Sequence, residues 1–122
     1  MKTFYPIDLL NKRLEIAKED SDTSMFLHLM YAGEQLTKIV TVALVACVED
    51  DKLRHRYAQE HRLVRADGIG EWSSCIDEIL SGVTSQFLCI EMRGFQKELL
   101  EAKKEGSWQY DSVKLLNECL KI

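Results

Sequence analysis

A chain of 122 residues, 46% hydrophobic and 30% charged, has the size and composition of one soluble domain, which excludes a disordered polymer and leaves too little chain for two cores. Its formal net charge of -4 excludes a uniformly basic protein, so a positive field has to be local. One proline, Pro6, and six glycines give little punctuation, and long helices fit that better than a many-turned sheet. Cys47, Cys75, Cys89 and Cys119 are widely spaced and form no CxxC pair; each sits in an apolar pattern and reads as a buried reduced thiol. MKTFYPIDLL turns polar before an apolar core is complete, so no secretory leader is expected and a cytoplasmic protein follows.

After Pro6, Leu10, Leu14 and Ala17 recur at helical spacing and predict a short amphipathic helix over 7–18. Asp22 and Thr23 then offer caps for a long helix over 24–49, with Leu27, Met30, Tyr31, Leu36, Ile39 and Val40 on its apolar side. Its second half, IVTVALVACV, is apolar nearly all round and predicts a central helix buried on several sides. A buried strand is the rival for that run; a membrane span needs roughly 20 apolar residues and this run is shorter.

The acidic junction Glu49, Asp50, Asp51 can cap a third helix, expected from Lys52 to about Ala66 and closed by Gly68 as a left-handed cap. A fourth helix from Gly70 to Leu80 carries Ile69, Trp72, Cys75 or Ile76, and Ile79 on one face; Gly70 starts it and Trp72 anchors it in the core. Thr84 to about Lys104 predicts a further helix burying Phe87, Leu88, Met92, Phe95 and Leu99. Gly106 stops it, and Asp111 or Ser112 caps a last helix with Val113, Leu116 and Leu120. The expectation is an all-α bundle of five or six helices around a long central one, a single domain over 1–122 that can also be the N-terminal module of a longer protein.

The third helix concentrates the chemistry. From Asp51 to Arg65, Lys52, Arg54, Arg56, Arg62 and Arg65 face only Asp51 and Glu60, and His55 and His61 lie among them. Guanidinium groups pair with anionic oxygens and imidazole moves protons near neutral pH, so the combination suits phosphate chemistry. At about 100° per residue, Arg54 and His61 share a face of a continuous helix, together with Ala58 and Arg65, whereas Arg56 points away from His61. If Asp51 to Arg56 is a loop, Arg56 can serve instead. His55 and His61, six apart, diverge, so no metal site is expected.

An arginine, four to six residues, then a histidine on a helix of a small all-α bundle resembles the HEPN domains, many of which are metal-independent ribonucleases. Arg54 to His61 fits the longer spacing, Arg56 to His61 the shorter, and His55 stands where the family favours a polar residue. Where the branch paired with nucleotidyltransferases usually carries tyrosine, this chain has Leu63. The resemblance implies a homodimer with a composite cleft, no cofactor and no metal, in a protein of toxin or antiphage-defence type acting beside an antitoxin or further domains. It implies that an RNA 2′-hydroxyl attacks the adjacent phosphate, with His61 as general acid or base and Arg54 stabilising the phosphorane, assisted by His55 and Arg56. Lys52, Arg62, Arg65 and Tyr57 are the candidate RNA contacts, Tyr57 by stacking.

Blander roles stand beside these. Tyr57 can pack against the central helix, Arg62 and Arg65 can be solvated charges, His28 a core or interface histidine, and Glu34 an ordinary surface carboxylate. The competing function is a non-catalytic helical domain that docks RNA or a partner protein.

Overall fold

A computed structural model describes residues 4–120 and is an all-α helical bundle. Six α-helices follow in order: α1 (Tyr5–Asp20), α2 (Asp22–Ala46), α3 (His55–Val64), α4 (Ile69–Ser81), α5 (Arg93–Leu100) and α6 (Trp108–Leu120). Helix α1 starts with Pro6 in its first turn, where the missing N–H costs nothing, and buries Leu10 and Ala17. Ser21, rather than Asp22 or Thr23, caps α2, its hydroxyl accepting the Ser24 N–H at 3.0 Å. Gly68 is not the left-handed end of α3. It caps α4 with an extended backbone, and Arg65 ends α3.

The expected helix over 84–104 is broken. Short 3-10 turns at Val83–Phe87 and Ile90–Met92 flank Leu88 and Cys89, both extended, before α5 begins; a third 3-10 turn, Glu101–Lys103, follows it. The break has a bonding reason. Glu49 donates its N–H to the Phe87 carbonyl at 2.7 Å and Cys89 donates to the Cys47 carbonyl at 2.9 Å, closing an isolated antiparallel bridge between Val48 and Leu88. Backbone groups that a continuous helix would pair internally instead tie this segment to the end of α2, which seals Leu88 in the core.

That core lies where the second half of α2 crosses α4. Leu44, Val45 and Val48 meet Cys75, Ile79 and Leu80, with Leu88 closing one end and Leu63 of α3 packed alongside. Thr41 is fully buried in it because its hydroxyl bonds back to the Thr37 carbonyl at 2.6 Å. Cys75 is the buried thiol that the pattern promises, and burial pushes its pKa up to about 11. Cys47 and Cys89 are only half-buried, contrary to expectation. The side chains of Leu116, Cys119 and Leu120 lie outside the described residues.

The first half of α2 departs furthest from its expected role. It packs on α1 through Ala32, yet Phe26, Leu27, Leu29, Met30, Tyr31 and Leu36 are exposed, as is Val42 further on. By length and composition α2 could cross a membrane, with mean hydropathy 1.2 over its most apolar stretch, and only 22% of that stretch is buried. Within the apolar run of 39–48, burial therefore holds for Thr41, Leu44, Val45 and Val48, while Val42 stays exposed.

Candidate nucleic-acid interface

The segment that enters α3 is built on Asp51. Its carboxylate accepts the backbone N–H groups of Leu53 at 3.0 Å and His55 at 2.9 Å, and the His55 ring nitrogen Nδ1 donates to it at 2.7 Å. The expectation of an acidic cap is thus met by one residue of the acidic junction. Partial burial pushes the Asp51 carboxyl up, but the His55 N–H and ring and the Leu53 N–H outweigh it and hold the group below its ordinary value. The carboxylate's contribution is therefore complete above the unfolded pKa of about 3.9 and is lost as pH falls through the lower folded value. Asp51→Asn is expected to flatten the acid limb of the stability curve and to lower the neutral-pH unfolding midpoint, read by tryptophan fluorescence. An unchanged acid limb would remove Asp51 from this role.

The turn places Lys52 and Arg54 outside the helix, which starts at His55. Arg54 takes the left-handed conformation, φ 54 and ψ 48, rare for a residue with a Cβ. The continuous-helix argument that aligned Arg54 with His61 does not hold as stated, but the two are connected by another route. The Arg54 guanidinium lies over the Tyr57 ring at 5.8 Å, and the Tyr57 and His61 rings are 6.2 Å apart, tilted by 30°. Arg54, just ahead of α3, and Tyr57 and His61 on its first turns form an exposed row. Tyr57 is exposed, lying at the surface between the two motif residues.

Replacing a strained non-glycine residue by glycine relieves the left-handed backbone. Arg54→Gly is expected to raise stability by about 0.5–1 kcal/mol while removing the guanidinium. Urea unfolding of the two proteins checks this, and a less stable glycine variant would mean that Arg54 holds the fold.

The other candidates are engaged. His55 stacks on Phe87 with ring centroids 4.7 Å apart, so with Asp51 it braces α3 against the segment before α5. It is a positioning residue in this geometry. Arg56 Nε donates to Glu60 at 3.0 Å and Arg62 Nε to Glu71 of α4 at 3.1 Å. Among the described residues Lys52, Arg54 and Arg65 make no ion pair and stay exposed. Glu34 pairs with Lys38 at 2.9 Å, away from the motif, and half-buried His28 bonds the Ser24 carbonyl at 2.8 Å.

Two hollows meet at the Arg56–Glu60 pair. A polar one of about 570 Å³ is lined by Asp50, Asp51, Arg54, Arg56, Tyr57 and Glu60. An apolar one of about 440 Å³ runs from Val42 and Val45 to Leu63, Val64 and Trp72. Trp72 is thus half-buried at the rim of a hollow, with Lys38 Nζ 5.7 Å from its ring, and is not among the residues packed on the buried cluster, contrary to its expected role as a core anchor. Three carboxylates face two guanidinium groups in the polar hollow, so the cationic surface open to a phosphate narrows to Lys52, Arg54 and Arg65. Nothing in the local sequence marks Phe87 or Glu71 as partners, whereas the four-residue spacing of Asp51 and His55 is readable there. No group of histidine, cysteine and carboxylate side chains suited to a metal occurs among the described residues.

Compared with protein family models, curated proteins and solved structures, the chain matches none.

Proposed function

We propose that this domain is a HEPN-like, metal-independent endoribonuclease whose site is the row Arg54, Tyr57 and His61, completed by a second copy. One observation carries the reading: the guanidinium and imidazole of the arginine–histidine motif stand on one exposed row, linked through the Tyr57 ring and free of ion pairs among the described residues. A base can stack on Tyr57 while the adjacent phosphate meets Arg54 and the ribose 2′-hydroxyl meets His61. The deciding experiment is cleavage of single-stranded RNA in EDTA by the purified protein beside its Arg54→Ala and His61→Ala variants.

A composite cleft needs a dimer, and α2 carries a face that suits one. Phe26, 60% exposed, and Met30, 56% exposed, stand with Leu29 and Leu36 around Gly33, on the same side of the helix as core residue Leu44 one bundle layer on. A methyl group built on Gly33 meets nothing within 4 Å, so no packing inside the described chain calls for a glycine that costs about 1 kcal/mol in a helix. All four side chains are more than two-fifths exposed, an apolar patch of the kind that a protein interface covers. A second copy crossing α2 at Gly33 accounts for both features. Met30→Glu is expected to convert the dimer to monomer at micromolar concentration. Gly33→Ala is expected to stiffen the helix yet weaken association, as read by analytical ultracentrifugation. A wild-type monomer that sediments with neutral lipid vesicles would assign the face to a bilayer and remove the dimer.

The carboxylates Asp50, Asp51 and Glu60 around the polar hollow favour a second reading, a non-catalytic domain that docks a basic protein partner there. Intact RNA with a wild-type dimer would select it.

A further inference from the structure

The bridge between Val48 and Leu88 brings two cysteines together that are 42 positions apart in sequence. The bonds from Glu49 to Phe87 and from Cys89 to Cys47 flank that bridge and set Cys47 opposite Cys89, with the two thiols in hydrogen-bond contact. Opposed residues of an antiparallel pair have Cα atoms about 4.5–5.5 Å apart, within the range of about 4.4–6.8 Å that a disulfide spans. Both thiols are free and half-buried, in contrast to Cys75, which the core encloses. Burial raises the Cys89 pKa against the pull of the Met92 N–H, and the Glu91 carboxylate and the adjacent Cys47 thiol raise it further.

We propose that Cys47 and Cys89 are a dithiol modification site that closes to an intramolecular disulfide on exposure to a hydroperoxide. The Cys47 thiolate attacks a peroxide oxygen, the O–O bond breaks, that sulfur becomes a sulfenic acid, and the hydroxide that leaves takes up the one proton the thiol gave up and departs as water. The neighbouring sulfur then attacks the sulfenic sulfur. The S–S bond forms, the S–O bond breaks, and hydroxide departs as water with the second thiol's proton. Two thiols and one hydrogen peroxide give one disulfide and two waters, with two electrons passing from sulfur to oxygen.

The crosslink joins the chain just before Asp51 to the chain just after Phe87, the two residues that grip His55 from either side. Oxidation would fix that grip. The site itself does not depend on the ribonuclease reading.

The test uses the full reduced chain, titrated with hydrogen peroxide, alkylated and mapped by mass spectrometry. Two of the four thiols are expected to disappear, the intact mass to fall by two hydrogens, and one peptide to join Cys47 to Cys89 within a single chain, reversibly with dithiothreitol. Cys47→Ala and Cys89→Ala should each abolish that species and Cys75→Ala should spare it. The crosslink is mapped on the wild-type chain, so a variant that misfolds does not blur the result. Oxidation that leaves Cys47 and Cys89 alkylatable, stops at sulfinic acid, or links only separate chains would overturn the proposal.

Discussion

Single-stranded RNA incubated with the protein in EDTA is expected to be cut to fragments ending in 2′,3′-cyclic phosphate and 5′-hydroxyl groups, and His61→Ala to slow this by about 10²–10⁴-fold. The size follows from the task. A positioned imidazole has to take the 2′-hydroxyl proton or supply one to the leaving oxygen, and no other exposed base stands in the row. Asp50, Asp51 and Glu60 are near, but Asp51 is committed to His55 and Glu60 to Arg56. Arg54→Ala is expected to cost about 10²–10³-fold, since its guanidinium would meet charge that develops only as the phosphorane forms. Arg56→Ala should cost far less, because its head group is already neutralised by Glu60.

Arg54→Gly sharpens the test, combining higher stability with the activity loss of Arg54→Ala, a pairing that a purely structural arginine would not give. DNA, lacking the attacking hydroxyl, should remain intact. Full activity in His61→Ala, or cleavage of DNA at a similar rate, would end the proposal. RNA left whole by a wild-type dimer would leave the row as a docking surface.

The all-α bundle was legible because apolar spacing near 3.6 residues runs through five of the six helices and few breakers interrupt it. What was not legible was tertiary bonding. Leu88 and Cys89 read as helical by periodicity, but two hydrogen bonds to the end of α2 pull them straight. Phe26 and Met30 read as core by the same rule, yet periodicity shows which face is apolar and not whether anything covers it. At the site, charge counting along the chain overstates the basic face. It cannot register Glu71, which arrives from α4 to hold Arg62, and it treats Arg54 as helical when the Asp51 turn places it in the left-handed region. The exposure of Tyr57 is hidden for a related reason: it depends on where α3 starts, and that start is set by Asp51.

Ile79→Ala is expected to destabilise the protein by about 3–4 kcal/mol, a loss typical of truncating a large aliphatic side chain in a closed core. Ile79 is fully buried where α4 meets Leu44 and Val48, and the buried apolar cluster has only seven members among the described residues, so few neighbours can move to fill the space. Domains of this length have about 5–15 kcal/mol in total, and much of this chain's apolar surface is exposed in a single copy. The variant should therefore stand near the edge of folding, with an unfolding midpoint that rises with protein concentration if association through α2 contributes stability. Val64→Ala is the counterpart: Val64 is 86% exposed, and its truncation should change stability by no more than about 0.5 kcal/mol. Oxidation of Cys47 and Cys89 should raise the thermal midpoint of Ile79→Ala by something on the order of 10 °C, because the disulfide closes a long loop in the unfolded chain. Thermal denaturation of reduced and oxidised protein at two concentrations separates these contributions. Equal stability of Ile79→Ala and wild type would show that α4 does not close the core as described.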